Sequence, residues 1–301
     1  MRVLVTGGAG YVGSSLVPLL LGEGHHVRVL DHMRSGGEGL LSCCANPRFQ
    51  IVRGDVSDEE ALVSALEDMD AVVHLAALVG HQACQREPAY TWTTNVDGTR
   101  RLLEFRGPDQ RVLFASTGSV YGKVRDAVCT EQTDVNPLTV YAKSKVAAEE
   151  LVLTAGNSVV FRYATAFGVS QRLRLDLLVN DFVYQAVQRG NLIVYQGDSR
   201  RTLVHVRDMA RSIAFALQRW DSFVDDIYNV GNESLNLSKA EIAHTIRERV
   251  NCYLHFAEFA SDPDQRDYFV SYEKIRNKGF VTEVDLATGL SELIPAVRLV
   301  A

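Results

Sequence analysis

Five cysteines in 301 residues are too few, and too odd in number, to frame a disulfide-stapled fold. None of Cys43, Cys44, Cys84, Cys129 and Cys252 stands in the CxxC spacing of a zinc or redox site, so reduced thiols in a cytoplasmic chain are expected. No apolar run approaches the ~18–20 residues that a bilayer requires, which argues against a membrane protein. A signal peptide is not expected either, because Arg2 leads directly into Val3-Leu4-Val5 and then glycines. There is no basic excess: the net charge of -6 leaves no electrostatic footprint for nucleic acid. A few local arginines could still hold a diphosphate. No His/Asp/Glu cluster has metal-ligand spacing, so no metal is expected. Internal repeats and low-complexity linkers are absent as well, so any second unit packs closely on the first.

What remains is an ordinary globular composition, 47% hydrophobic and 23% charged. The first half alternates short β-branched runs with helical stretches, the rhythm of an α/β parallel sheet covered by helices. The strand candidates are Val3–Val5, Val27–Leu30, Phe49–Val52, Ala71–Leu75, Val112–Ala115 and Val159–Tyr163. Asp58–Leu66 and Val140–Leu153 are the cleanest helices, the first with Ser57 and Glu60 placed as a capping box. Beyond residue 165 the rhythm loosens into loop and helix over Gly168–Asn191, with Arg172, Arg174 and Asp176 near its start. It resumes with Thr202–Val206, Met209–Gln218 and Ile227–Val230, and the tail from Asn232 reads as a small helical cap with one or two strands.

Between the first strand and the first helix lies Thr6-Gly7-Gly8-Ala9-Gly10-Tyr11-Val12-Gly13, a G-x-x-G-x-x-G loop. Missing side chains permit a tight turn there and let backbone approach a pyrophosphate, which the following helix N-terminus attracts. Asp31, at the end of the second strand, can accept from the ribose hydroxyls of an adenosine. Its carboxylate would repel a 2′-phosphate, so NAD is expected over NADP, with Arg34 as the opposing feature. Asp55, after the third strand, is placed to meet the adenine.

Tyr141-Ala142-Lys143-Ser144-Lys145 contains Y-x-x-x-K. Positions four apart share one helix face, and an ammonium beside a phenol favours phenolate, so Tyr141 is a workable base for a hydroxyl proton. Upstream, Leu113-Phe114-Ala115-Ser116-Thr117 ends a strand in two hydroxyls able to bind substrate and tyrosine.

The set Thr6–Gly13, Asp31, Asp55-Val56, Leu75-Ala76-Ala77, Asn95, Ser116-Thr117, Val120-Tyr121-Gly122 and Tyr141–Lys145 resembles the extended short-chain dehydrogenases that modify nucleotide sugars. The resemblance runs in order through almost the whole chain. It implies a Rossmann-type doubly wound parallel sheet with a smaller C-terminal α/β substrate-binding domain. The NAD-binding domain would take residues 1–165 plus about 204–232, and the sugar-binding domain 166–203 plus 233–301. It implies Tyr141 as base, Lys145 on the nicotinamide ribose, and Thr117 as the Ser/Thr partner. The cofactor side would comprise Gly7, Gly10, Tyr11, Val12, Asp31, Asp55, Val56, Leu75, Ala76, Ala77 and Asn95, with Tyr141 and Lys145. Arg200-Arg201-Thr202-Leu203-Val204-His205-Val206-Arg207-Asp208 and Asp264-Gln265-Arg266-Asp267-Tyr268 resemble the segments that supply two diphosphate-binding arginines, here Arg201 and Arg266. Substrate would also meet Thr117, Gly118, Ser119 and Thr165. The helices near 88–105 and 140–155 would pair across a homodimer.

Departures from the family pattern narrow the reaction. Dehydratases carry Asp-Glu after the threonine, where this chain has Gly118 and Ser119, and decarboxylases keep a Glu at the Ser119 position. The GDP-mannose 3,5-epimerase cysteine is missing from that place too. Oxidation at C4 of a nucleotide-diphosphate sugar remains, as a 4-epimerase or a 4-dehydrogenase. A 4,6-dehydratase and a non-sugar dehydrogenase of the same superfamily are the alternatives. The second has no use for Arg201 and Arg266. A silent NAD-sensing protein could lose Tyr141, Lys145 or Thr117, and all three are present. Leu177–Phe182 and the Arg266-Asp267-Tyr268 triplet resemble a bacterial branch that includes GDP-heptose 4-dehydrogenase-like enzymes. His81 either touches a sugar hydroxyl or is an ordinary loop histidine, and His205 reads as a structural member of its motif.

Overall fold

The computed structural model describes residues 1–124, 128–257 and 268–300. Seven strands lie in the spatial order Asp226–Val230, Ser158–Tyr163, Arg111–Thr117, Ala71–His74, Arg2–Thr6, His26–Asp31 and Phe49–Arg53. Every neighbouring pair is parallel. The six N-terminal strands are those that the β-branched runs predict, each starting within about one residue of its expected position.

The central strand shows why. Val3, Leu4 and Val5 are all fully buried, so the run is apolar at every position, as a strand covered on both faces must be. Successive side chains alternate. Val3 and Val5 join one core with Leu16, Leu20 and Val29, which the helices Gly13–Gly22 and Val206–Gln218 cover. Leu4 joins the other core with Leu62, Leu102 and Val152, carried by the helices Glu59–Leu66, Gly98–Phe105 and Val140–Ala155. This is a doubly wound Rossmann-type sheet. Its order reverses about Arg2–Thr6, which opens a crevice at the strands' carboxyl ends, where open α/β sheets bind ligands.

A second group of elements stands beside that crevice. Arg200–His205 is the middle strand of a three-stranded sheet, parallel to Thr165–Phe167 and antiparallel to Asn236–Ser238. Asn191–Tyr195 pairs with Tyr253–Ala257. The group has its own core, including Phe167, Phe182, Leu203, Ile242 and Leu290. Among the described residues, no helix is long and apolar enough to cross a membrane.

Two local expectations are corrected. The cap of Glu59–Leu66 is Asp58, which accepts from Ala61 N, while Ser57 N donates to Asp55 Oδ1. The aspartate reaches the third amide of the helix, so no capping box forms at Ser57. One does form at Ser238, where Glu241 reaches back to the Ser238 amide. The stretch after the fourth strand is helical over His81–Arg86 rather than wholly loop.

Candidate active site

The glycine loop is built for close approach. Gly7 has φ 71°, and a Cβ there would lie 2.7 Å from Ala76 N. A Cβ on Gly13 would lie 2.5 Å from Gly8 Cα and from Gly8 O, so neither position admits a side chain. Gly7 N donates to Leu30 O and Gly10 N to Gly7 O, which folds the turn under the first amides of the helix Gly13–Gly22. Asp31 closes the far side: Oδ2 accepts from Ala9 N at 3.0 Å and Oδ1 from Met33 N at 2.8 Å. Arg34 is drawn away to Glu87, at 2.8 Å, and over the Tyr90 ring. Val56 is buried where Gly98 gives it room. The Tyr11 phenol is also buried and donates to Gly168 O at 2.8 Å, joining the loop to the second group of elements, and Val12 stands at the helix start.

A residue that sequence reasoning missed ties this loop to its neighbours. His74 ends the fourth strand, 1% exposed, with Thr6 Oγ1 at 2.7 Å from Nδ1 and Thr99 Oγ1 at 2.9 Å from Nε2. Thr99 Oγ1 donates to Asn95 O, so Nε2 must carry the ring proton and Nδ1 accepts from Thr6. Thr6 Oγ1 in turn accepts from Ala76 N. Burial, with the Lys145 charge beside it, lowers the His74 pKa to about 3, so the ring is neutral. The chain of bonds sets the backbone of Leu75-Ala76-Ala77. Asn95, in the π-helical turn Thr93–Asp97, continues it by accepting from Leu78 N and donating to Leu78 O and Ser144 Oγ. A histidine ending an otherwise apolar strand was the available signal. His74→Leu leaves the Thr6 hydroxyl without an acceptor and should cost about 2–4 kcal/mol, read by urea unfolding. An unchanged midpoint would discount the network.

The helix Val140–Ala155 begins at Thr139, whose hydroxyl accepts from Ala142 N, and stops at Gly156 with φ 67°. Tyr141 and Lys145 stand four residues apart on it, with Tyr141 half-buried and Lys145 buried. Lys145 Nζ donates to Ala115 O at 2.8 Å and lies over the Phe114 ring. Burial lowers its pKa to about 8, against the opposing pull of Glu149 and Cys84. One turn further on, Glu149 pairs with Arg162, Oε2 to Nη2 at 2.7 Å, with both side chains at most 6% exposed. Ser116 Oγ also donates to Glu149, and Arg162 Nη1 reaches Tyr121 OH at 3.3 Å.

The two strand-end hydroxyls therefore part company. Ser116 is turned to Glu149, while Thr117 accepts from Ser119 N and donates to Ser119 Oγ, capping the turn Gly118–Tyr121. Tyr268 OH donates to Gly118 O and pins that turn from the C-terminal side. Thr165 opens the strand that pairs with Arg200–His205. Arg201 is buried and donates to Ser199 Oγ and Arg200 O. Arg266 lies outside the described residues. His205 is buried against Phe167 and takes the Arg207 amide on Nδ1. Among the described residues no group of His, Cys, Asp and Glu could hold a metal ion.

A glycine turn that excludes side chains, a helix N-terminus and a carboxylate at the second strand's end fit the pyrophosphate and ribose of a dinucleotide. A phenol and an ammonium stand four residues apart on the helix Val140–Ala155. A sequence profile of the NAD dependent epimerase/dehydratase family matches residues 3–231. The dTDP-glucose 4,6-dehydratase of Streptomyces niveus is 31% identical over 99% of this chain and 93% of its own length. UDP-glucuronic acid decarboxylase 1 of Arabidopsis thaliana is 29% identical over 99% of this chain and 70% of its own. The solved UDP-glucuronic acid 4-epimerase of Bacillus cereus, in complex with UDP-glucuronic acid and NAD, superposes with a TM-score of 0.89, at 26% identity, over 100% of both chains. These relatives run three different reactions on one scaffold, and the chain belongs to their family, the NAD-dependent nucleotide-sugar epimerases and dehydratases.

Proposed function

We propose that this chain oxidises C4 of a nucleotide-diphosphate sugar as a 4-epimerase or a 4-dehydrogenase, with NAD as its cofactor. The observation that carries this reading is the pair Tyr141 and Lys145 on a helix bonded to the substrate-side strand by Lys145 Nζ–Ala115 O. Gly7, Gly10, Val12 and Asp31 hold the dinucleotide, with Asp55, Val56, Leu75, Ala76, Ala77 and Asn95 lining its adenine and central portions. Tyr11 supports the loop from beneath. When bound, NAD supplies a hydride acceptor. Tyr141 takes the proton of the C4 hydroxyl, Lys145 stabilises the phenolate, and Thr117 orients the oxygen. Removal of that proton with the C4 hydride leaves a ketone two hydrogens lighter. Return of the hydride to the other face, with the proton back from Tyr141, restores the mass with inverted configuration.

Arg201 and Arg266 take the diphosphate, and Gly118, Ser119 and Thr165 line the sugar's path. The two-part organisation follows: residues 1–165 and about 204–232 carry NAD, and 166–203 with 233–301 carry the sugar. The return of Asp226–Val230 to the edge of the large sheet supports it. Two copies pair through the helices near 88–105 and 140–155, where Trp92 and Phe105 leave apolar surface exposed.

A 4,6-dehydratase is the second reading, favoured by the Streptomyces niveus relative. Elimination needs an acid and a base after the threonine, and Gly118 and Ser119 supply no carboxylate. The test is mass spectrometry of UDP-, GDP-, CDP- and dTDP-sugars incubated with enzyme and NAD. A loss of two hydrogens, or an unchanged mass with altered chromatography, supports C4 oxidation. A loss of water would make it a dehydratase, and no change on any sugar would overturn both readings.

A further inference from the structure

The loop after the strand His26–Asp31 is folded by its own aspartate. Asp31 Oδ1 accepts from Met33 N at 2.8 Å, and Met33 takes the left-handed conformation at φ 59°. Arg34 follows, its amide on His32 Nδ1 at 3.2 Å.

Glu87 meets this arginine from another part of the fold. It joins the short helices His81–Arg86 and Pro88–Trp92, which come after the strand Ala71–His74. The strands leading to Arg34 and Glu87 flank Arg2–Thr6, so the ion pair links the two sides of the strand that feeds the glycine loop. The backbone of Glu87 is fixed. Its amide donates to Ala83 O, and its carbonyl accepts from Thr91 N at 2.9 Å and from the buried Thr91 hydroxyl at 2.8 Å. From that support Oε1 takes Arg34 Nη2 at 2.8 Å, while Arg34 Cζ lies 5.2 Å from the centre of the Tyr90 ring. The two side chains are 51% and 45% exposed, so the pair adds little to stability. What it fixes is the placement of a cation carried on the same loop as Asp31.

An NADP site pairs the ribose 2′-phosphate with an arginine, whereas an NAD site offers the 2′-hydroxyl a carboxylate. This loop carries both groups, and in the sequence they oppose each other. In the structure Arg34 is already engaged, by one ionic and one aromatic partner.

We propose that Glu87 is a determinant of the choice of NAD over NADP, acting by occupying the guanidinium that a 2′-phosphate beside Asp31 would need. The proposal rests on the reading of Asp31 as the ribose ligand and adds to it a second carboxylate from a different segment. Asp31 repels the phosphate directly, and Glu87 withholds its counter-charge. Glu87 is thus a positioning residue, working through Arg34.

The experiment is competition of NADP against radiolabelled NAD on the purified enzyme by equilibrium dialysis, which gives the ratio of the two Kd values. The wild type should bind NADP at least about tenfold more weakly than NAD. Glu87→Gln keeps the side chain's length, removes its charge, and should narrow the ratio about threefold, the scale of one exposed ion pair. NAD itself should bind as before, which a general loosening of the site would not allow. Adding Arg34→Ala to Glu87→Gln should return the ratio to that of the wild type. Asp31→Ser should narrow it separately, with the gain from Glu87→Gln retained in that background. A Glu87→Gln ratio equal to the wild type, or NAD and NADP weakened alike, overturns the role of Glu87 and leaves Asp31 standing. So does a gain that survives Arg34→Ala, since another cation, such as Arg53 opposite Asp31 in the strand pairing, would then meet the phosphate. An Asp31→Ser ratio that stays put overturns the ribose reading of Asp31, and the proposal with it.

Discussion

Tyr141→Phe should lower turnover by about 10²–10⁴-fold, the usual contribution of a positioned proton-transfer group. The substitution removes one oxygen from a half-buried position and keeps the ring, so unfolding and NAD binding should match the wild type. Turnover within about tenfold of the wild type would remove Tyr141 from the role of base. The pH profile supplies a second check. Lys145 is protonated below its lowered pKa of about 8 and stabilises phenolate only in that state. kcat/KM should therefore fall as pH passes through about 8 and Lys145 loses its charge. A profile still rising from pH 8 to 10 would show that the ammonium is not needed.

Glu149→Gln should have the largest effect on stability, about 3–5 kcal/mol. Burial alone would push the Arg162 guanidinium down, and the Glu149 carboxylate more than offsets this, holding it above its usual value. Removing the carboxylate's charge leaves a buried cation uncompensated, and it also strips Ser116 Oγ of an ionic acceptor. The pair joins the helix Val140–Ala155 to the strand Ser158–Tyr163, one helical turn beyond Lys145, so catalysis should weaken with the fold. Pairing Glu149→Gln with Arg162→Met should recover much of the loss, since the stranded charge is then gone. Urea unfolding reads both. A cost below about 1 kcal/mol for Glu149→Gln would show that the ion pair is not needed.

Both partners of that ion pair are plain in the sequence, yet their pairing is not. Glu149 falls within the expected helix Val140–Leu153 and Arg162 within the expected strand Val159–Tyr163. They meet because Arg111–Thr117 and Ser158–Tyr163 pair with Ser116 opposite Arg162, a register between strands more than forty positions apart. His74 escaped notice similarly. Its meaning lies in Thr6 and Thr99, which the strand order brings to its two ring nitrogens. The Asp58 cap was missed for a smaller reason, because two candidate caps stand side by side and only backbone geometry chooses between them.

The chain's own order of residues determined the alternation of strand and helix, the glycine turn and the Tyr141–Lys145 face. Each rests on spacing within a few residues, where backbone geometry is nearly fixed by the local sequence. Tertiary structure alone decided that Ser116 turns to Glu149 and which buried charges compensate one another. Those outcomes depend on contacts between segments tens of residues apart. They form only when burying the two faces of the large sheet and the smaller core selects one packing of the whole chain.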